Sequence, residues 1–233
     1  MRSYHAIVLA AGQGKRMKAG ENKQFIKIRN KPLIIHTLEL FNRDSWCTSI
    51  SLVVNPKEEE RIRDLINNTA FQKNVQIVKG GKERQQSVFE GLKSMEGYSG
   101  MVFIHDGARP FVSLDSLHEL AEATFTHQAA LLAVPVTDTI KQVKNNKLLE
   151  TLDRSTLWAA QTPQGFHYDM IFKAHQLADE QNYTGTDDAS LVERTGQQVE
   201  IVQGSYDNIK ITTPEDLKRA QAFIDPEEPE EKI

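Results

Sequence analysis

The chain has 233 residues, 39% of them hydrophobic, which is enough for a sizeable core in one α/β domain. Its net charge of −4 excludes a global basic field for nucleic acid, so any anion must be held by local basic clusters. A single cysteine, Cys47, excludes an intramolecular disulfide and a cysteine-based metal cluster, and no apolar run approaches the roughly 20 residues of a membrane span.

A lone thiol fits a reducing cytoplasm, and Met1–His5 leads into the first strand without an apolar signal-peptide core. Ala6–Leu9 is an apolar run that predicts that first, buried strand. It passes into Ala10, Ala11, Gly12, Gln13, Gly14, Lys15 and Arg16, small residues and glycines ending in positive charge. Gly12 and Gly14 let backbone N–H groups approach an anion closely, and Lys15 and Arg16 add charge-assisted hydrogen bonds. The loop is not a dinucleotide fingerprint, because the third glycine would fall at Met17. It is not a Walker A loop either, because Arg16 follows Gly14-Lys15 where Ser or Thr belongs. The plainer alternative is an ordinary βα turn with a solvated basic rim.

Phe25–Ile28 reads as a short extended piece, and Lys31-Pro32 opens a helix carrying Leu33, Ile34, Thr37, Leu38 and Phe41 at helical spacing. Ile50–Val54 is a second strand, ended by Asn55-Pro56. Residues 57–69 follow as an amphipathic helix with Ile62, Leu65 and Ile66 inward. Val75–Val78 is a third strand running into Gly80-Gly81, and Gln85–Met95 is a helix. Met101–Ile104 is a fourth strand, followed directly by His105, Asp106, Gly107, Ala108 and Arg109. A helix near Ser113–Gln128 and a fifth strand at Ala130–Val134 complete the alternation. Such alternation predicts a parallel sheet wound on both faces, with ligands at the carboxyl ends of the strands. Segments 10–16, 80–87 and 105–109 share that end.

Residues 136–160 break the rhythm. Thr139–Val143 and Leu148–Leu152 flank the polar tip Lys144–Lys147 and predict a β-hairpin. An isolated hairpin is marginal in water, so packing against a second subunit is expected; the alternative is an arm lying back on its own domain. Gln161–Phe166 carries no element of its own, and a helix is expected across 168–181. Asp187 and Asp188 are candidate caps for a helix over 188–195. Val199–Val202 and Asn208–Ile211 read as late strands, and Thr213–Asp216 starts a final helix with a capping pattern. The acidic, proline-broken residues 225–233 are expected to be a disordered tail. That leaves 1–224 as a single domain with an arm at about 137–158.

Seven segments carry a resemblance when taken together. They are LAAGQGKRM (9–17) with Lys23, GGKERQQSV (80–88), HDGARPF (105–111), PVTDTIK (135–141), LDRSTLWAAQTPQGF (152–166), GTDDASLVE (185–193) and DNIKITTPEDL (207–217). In this order, over nearly the whole chain, they resemble the 2-C-methyl-D-erythritol 4-phosphate cytidylyltransferases of non-mevalonate isoprenoid biosynthesis. The resemblance implies a Rossmann-like, doubly wound, mostly parallel sheet of nucleotide-diphospho-sugar transferase type. It also implies an inserted β-arm that builds a homodimer, and transfer of CMP from CTP to methylerythritol 4-phosphate with Mg²⁺ and loss of pyrophosphate.

For the site, the resemblance implies Arg16 and Lys23 as catalytic transition-state stabilisers. It implies nucleotide binding at Ala10, Ala11, Gly12, Gly14, Lys15, Gly80, Gly81, Ser87, Asp106 and Arg109, with Asp106 also the Mg²⁺ ligand. Arg154, Lys210, Thr139, Thr162 and Asp207 are implied to position methylerythritol 4-phosphate, Arg154 across the dimer. The chemistry agrees: in-line attack by an ionised phosphate needs positioning and electrostatics, not a side-chain nucleophile or base. His105 is accordingly read as a packed neighbour and Trp158 as an interface anchor, and the histidines show no metal spacing. A plain turn is the alternative for Asp106-Gly107. Ribitol 5-phosphate cytidylyl transfer, or non-catalytic nucleotide binding on the same fold, are the alternative functions.

Overall fold

A computed structural model of the chain describes residues 2–12 and 22–224; Gly14, Lys15, Arg16 and the acidic tail lie outside them. The first half runs β1 (Tyr4–Ala10), the short strands β2 (Lys27–Ile28) and β3 (Lys31–Pro32), α1 (Leu33–Arg43) and β4 (Cys47–Val54). It continues with α2 (Glu59–Asn67), β5 (Val75–Lys79), α3 (Arg84–Lys93) and β6 (Met101–Asp106). The second half runs α4 (Leu114–His127), β7 (Ala129–Pro135), β8 (Lys141–Lys144), β9 (Lys147–Thr151) and β10 (Trp158–His167). It ends with α5 (Tyr168–Glu180), α6 (Asp188–Arg194), β11 (Glu200–Gln203) and α7 (Pro214–Ile224).

Seven strands form one sheet in the order β11-β7-β10-β6-β1-β4-β5. Every neighbouring pair is parallel except those of β10, which runs antiparallel to both β6 and β7. Helices cover both faces, so β1 is buried along its whole length and reads as a continuous apolar run. Its side chains still alternate. Tyr4, Ala6, Val8 and Ala10 join Ile34, Leu38, Phe41 and Leu117 on one face, and Ile7 and Leu9 join Val88, Leu92, Ile171 and Val192 on the other. Tyr4 and Phe103 stack with ring centroids 3.9 Å apart at the bottom of the first layer.

Two expectations are corrected. Asn208–Ile211 forms no strand; its fixed points are an Ile211 N–H donating to Ala108 O (2.9 Å) and Arg109 donating to Asn208 O. The region read without an element, Gln161–Phe166, lies inside β10, in the middle of the sheet. Proline and glycine argue against a central strand when read locally. β10 accommodates Pro163 at a register irregularity between Ala160 and Gln164, where the Thr162–Pro163 peptide is cis. Gly165 is needed for space: a Cβ there would lie 2.3 Å from Thr124 Oγ1 of α4 and 2.8 Å from the Phe103 ring.

The hairpin shifts by a residue or two from its expected bounds, to β8 and β9, with every residue of both strands exposed. Asn145 and Asn146 take φ of 50° and 59°, the positive pair that a tight two-residue turn requires. Val143, Leu148 and Leu149 are each more than half exposed. The stem closes where the Val136 N–H donates to Leu157 O and Trp158 pairs with Pro135.

Candidate active site

Three loops meet at the carboxyl ends of β1, β4 and β6. The Gly107 N–H donates to Leu9 O (2.9 Å) and the Gly80 N–H to Val54 O (2.8 Å), binding each loop to its neighbour's strand end. A Cβ on Gly80 would lie 2.7 Å from Ala11 Cβ and 2.9 Å from Ser87 Oγ, so glycine alone lets the 80–87 loop press against the first loop. Gly81 is equally crowded by Gln86, whereas a Cβ on Gly12 would meet none of the described residues within 4 Å. Ser87 is buried, its hydroxyl donating to Glu83 O at 3.0 Å. Ala10 ends β1 and Asn22 Nδ2 donates to Gly12 O, tying off the part of the first loop that is described.

Asp106, the last residue of β6, is the electrostatic centre. Lys210 Nζ lies 2.7 Å from its Oδ2, Arg109 Nε 3.9 Å from the same oxygen, and Arg84 Nε 3.4 Å from Oδ1. Burial alone would raise the Asp106 pKa, but the charges of Arg84, Lys210 and Arg109 hold it well below the usual carboxylate range. Asp106 is therefore an anion throughout the neutral range. Lys23 reaches the same place from the other side, donating to Ile211 O at 3.3 Å, next to Lys210.

His105 is not a base. Burial pulls its pKa down to about 4, and both ring nitrogens are engaged. Nε2 faces the Arg109 carbonyl at 2.9 Å and must donate to it; Nδ1 then accepts from the Thr162 hydroxyl at 3.2 Å. That hydroxyl in turn accepts from the Asp106 N–H at 3.0 Å. Thr162 thus sits at the β10 irregularity and fixes the end of β6 from behind.

The segment carrying Asp207 and Lys210 is fastened to the same irregularity. Asn208 is buried and donates to Gln161 Oε1 and Thr162 O, while Gln161 donates to Ser205 O. Asp207 is exposed, its N–H donating to Ser205 Oγ. Thr139 and Arg154 are exposed on the arm, where Arg154 Nη1 donates to Thr137 O at 2.7 Å. Neither makes a hydrogen bond or ion pair with the Asp106 cluster, so this chain's fold brings together Lys23, Asp106, Arg109, Thr162 and Lys210 but leaves the two arm residues apart.

Sequence reasoning passes over Arg84 and misassigns Asp188. Asp187, not Asp188, caps α6 by accepting from Ser190 N. Asp188 is buried, with Arg84 Nη2 at 2.7 Å and His175 Nε2 at 3.2 Å. Its pKa is lowered because these partners outweigh the opposing effect of burial. Both residues lie in quoted motifs, but the ion pair spans α3 and α6, and no local periodicity marks it.

Three cations, Arg84, Arg109 and Lys210, face two carboxylates, so the cluster carries excess positive charge. That suits a polyanion. No group of three or more metal-ligating side chains exists among the described residues. Asp106 does offer one hard oxygen donor, which fits Mg²⁺ where phosphate oxygens complete the shell. Among the described residues, no helix is long and apolar enough to cross a membrane.

The family described as 2-C-methyl-D-erythritol 4-phosphate cytidylyltransferase matches residues 4–226. A protein of that description from Halalkalibacterium halodurans is 52% identical over 221 residues, covering 95% of this chain and 96% of the relative. Its counterpart from Geobacillus kaustophilus is 52% identical over 222 residues, covering 95% and 97%. Among solved structures, the 4-diphosphocytidyl-2C-methyl-D-erythritol synthase of Anaerococcus prevotii superposes with a TM-score of 0.85 at 30% identity, covering 95% of this chain and 98% of that one. The 2-C-methyl-D-erythritol 4-phosphate cytidylyltransferase of Francisella tularensis superposes with a TM-score of 0.80 at 33% identity, covering 94% and 98%.

Proposed function

This chain belongs to the 2-C-methyl-D-erythritol 4-phosphate cytidylyltransferase family, and on that premise we propose how its residues divide the reaction. The enzyme transfers CMP from CTP to 2-C-methyl-D-erythritol 4-phosphate. A substrate phosphate oxygen forms a bond to the α-phosphorus as the bond from that phosphorus to the bridging oxygen of pyrophosphate breaks. The attacking phosphate is already ionised, so no proton has to be removed. Catalysis then reduces to alignment and to stabilising charge that shifts toward the leaving pyrophosphate.

The observation that carries this division is the excess of cations around Asp106, with Lys210 Nζ on the Asp106 carboxylate and Lys23 Nζ on the Ile211 carbonyl next to it in sequence. Lys23, with Arg16, takes the triphosphate. Ala10, Ala11, Gly12, Gly80, Gly81 and Ser87 form the wall that receives the nucleotide, and Gly14 and Lys15 are assigned to nucleotide binding by their place in the motif. Lys210 and Arg109 are already counter-ions to Asp106, and Lys210 turns to the phosphate of methylerythritol, with Thr162 and Asp207 flanking it. A divalent cation, Mg²⁺, would take Asp106 as its protein ligand and neutralise phosphate charge when bound. The exposed arm, with Val143, Leu148, Leu149 and Trp158 turned outward, is the surface of a homodimer. Across that dimer Arg154 and Thr139 reach the site that their own chain leaves without them. We place the reaction in the cytoplasm, where Cys47 stays a buried free thiol.

The test is pyrophosphate release from CTP with either methylerythritol 4-phosphate or ribitol 5-phosphate, for the wild type and Lys210→Ala. Faster turnover of ribitol 5-phosphate would reverse the substrate assignment. Unchanged kcat/KM in Lys210→Ala would remove the phosphate role; the loss of one preorganised donor should cost on the order of 3 kcal/mol.

A further inference from the structure

We propose that Arg84 is a positioning residue for this reaction: anchored by Asp188 of α6, it fixes the orientation of the Asp106 carboxylate. The proposal rests on the reading of the Asp106 cluster as the phosphate end of the active site.

Asp188 lies in the first turn of α6 among Ala189, Leu191 and Val192, its side chain 1% exposed. A carboxylate so buried has to be paired and hydrogen-bonded. Arg84 Nη2 meets Oδ2 at 2.7 Å, and His175 Nε2 donates to Oδ1 at 3.2 Å. Oδ1 is hydrogen-bonded and Oδ2 is ion-paired, though without a hydrogen bond of good geometry, and burial among apolar side chains makes Asp188 a fixed post and not a free counter-ion. The post is itself braced. Gln164 of β10 donates to Asp187 Oδ2 (2.7 Å) and accepts from the Ala189 N–H (3.0 Å). Gln85, beside Arg84, donates to Tyr183 O and accepts from the Gly185 N–H, each at 2.9 Å.

The other end of the guanidinium points at Asp106. There its charge is one of three that keep the carboxylate ionised, but its place on the carboxylate is its own. Lys210 and Arg109 already serve Asp106, and both lie on Oδ2. Arg84 is the one cation on Oδ1 among the described residues. What it adds is therefore direction: with one oxygen held from α3 and the other from the 207–211 segment, the plane of the carboxylate is set. A guanidinium spans two carboxylates with separate nitrogens at fixed angles, which a lysine ammonium cannot do. When a substrate phosphate draws Lys210 off Oδ2, the hold on Oδ1 is what keeps Asp106 in place. Misplacement by about 1 Å in a reaction that works by alignment costs on the order of 100-fold.

The test compares Arg84→Gln, Arg84→Lys, Asp188→Asn and the double variant Arg84→Gln/Asp188→Asn. Steady-state kinetics with CTP and methylerythritol 4-phosphate are read beside urea unfolding, to normalise to folded protein, and calorimetric CTP binding. Arg84→Gln should lose roughly 10- to 100-fold in kcat, with KM for methylerythritol 4-phosphate and CTP affinity changing by no more than about threefold. Asp188→Asn should fall in the same direction, and the double variant should be no worse than Arg84→Gln alone, because post and strut act as one unit. Unchanged kcat per folded molecule in Arg84→Gln overturns the proposal, as does an additive double variant. If Arg84→Gln does not fold, Arg84→Lys decides: lowered kcat with retained CTP binding supports the proposal, and wild-type kcat overturns it. An inactive wild type would fail the underlying reading instead, so the two failures are distinguishable.

Discussion

Acid should unfold this protein partly through His5, far from the catalytic loops. His5 lies buried at the start of β1, Nδ1 against Ser49 Oγ (2.6 Å) and Nε2 against Ser51 Oγ (2.9 Å), with the Tyr98 ring edge-on. Burial lowers its pKa from 6.5 to about 4. The unfolded chain therefore binds a proton between those values that the native state refuses. Stability contributed by the neutral ring is complete above the unfolded value and is lost as pH falls toward 4. Integrated from about pH 7.5 to about pH 4.5, that loss is about 2 to 3 kcal/mol for this one group. The assay is urea unfolding of the wild type and His5→Gln across that range, since every other titrating group cancels in the difference. His5→Gln should be less stable near neutrality, having lost the geometry of the serine contacts. The gap should then close or reverse by about 2 to 3 kcal/mol toward the acid end. A gap constant to within about 0.5 kcal/mol would show that the histidine is not buried neutral, and the reasoning fails.

Three further outcomes are expected. Gly165→Ala should destabilise by about 3 kcal/mol, the upper part of the overpacking range, because its Cβ would meet Thr124 and Phe103 inside van der Waals distance; a cost below about 1 kcal/mol in urea unfolding would mean that α4 yields easily. Leu149→Asp, on the 56% exposed arm leucine, should convert the proposed homodimer to monomer in sedimentation at micromolar concentration; an unchanged sedimentation coefficient would overturn an interface built on the arm. Arg154→Ala mixed with Lys23→Ala should regain activity in hybrid dimers, because one of the two hybrid sites then holds both native residues. If no hybrid is active, Arg154 works within its own chain.

The parallel strands were legible because burial on both faces leaves continuous apolar runs, as Ala6–Leu9 and Ile50–Val54 show. Capping was legible as well: Thr213 and Asp216 exchange the expected bonds, and Asp187 accepts from Ser190. β10 was not, because its place depends on partners distant in sequence, and its own residues include proline, glycine and the polar side chains of Gln161, Thr162, Gln164 and His167. Ile209 and Ile211 made the opposite error, alternating like a strand where no sheet edge lies beside them. In the site, Lys23, Asp106, Arg109, Thr162 and Lys210, all drawn from the quoted motifs, lie together in the structure. Arg84 escaped notice because its role is set by two carboxylates on other elements.

The position of the arm between β7 and β10 makes it separable. These two strands are antiparallel neighbours, and Trp158 already pairs with Pro135 where the excursion begins. The arm is thus a long loop on an otherwise simple hairpin, and its twenty or so residues contribute no side chain to either core layer. Replacing residues 137–156 by a short turn should leave a folded seven-stranded monomer that still binds CTP. Lacking Thr139 and Arg154, it should not turn over. Nature's insertion would then have added partnership and second-substrate recognition to a nucleotide fold in one step, at a point where the sheet itself had nothing to lose.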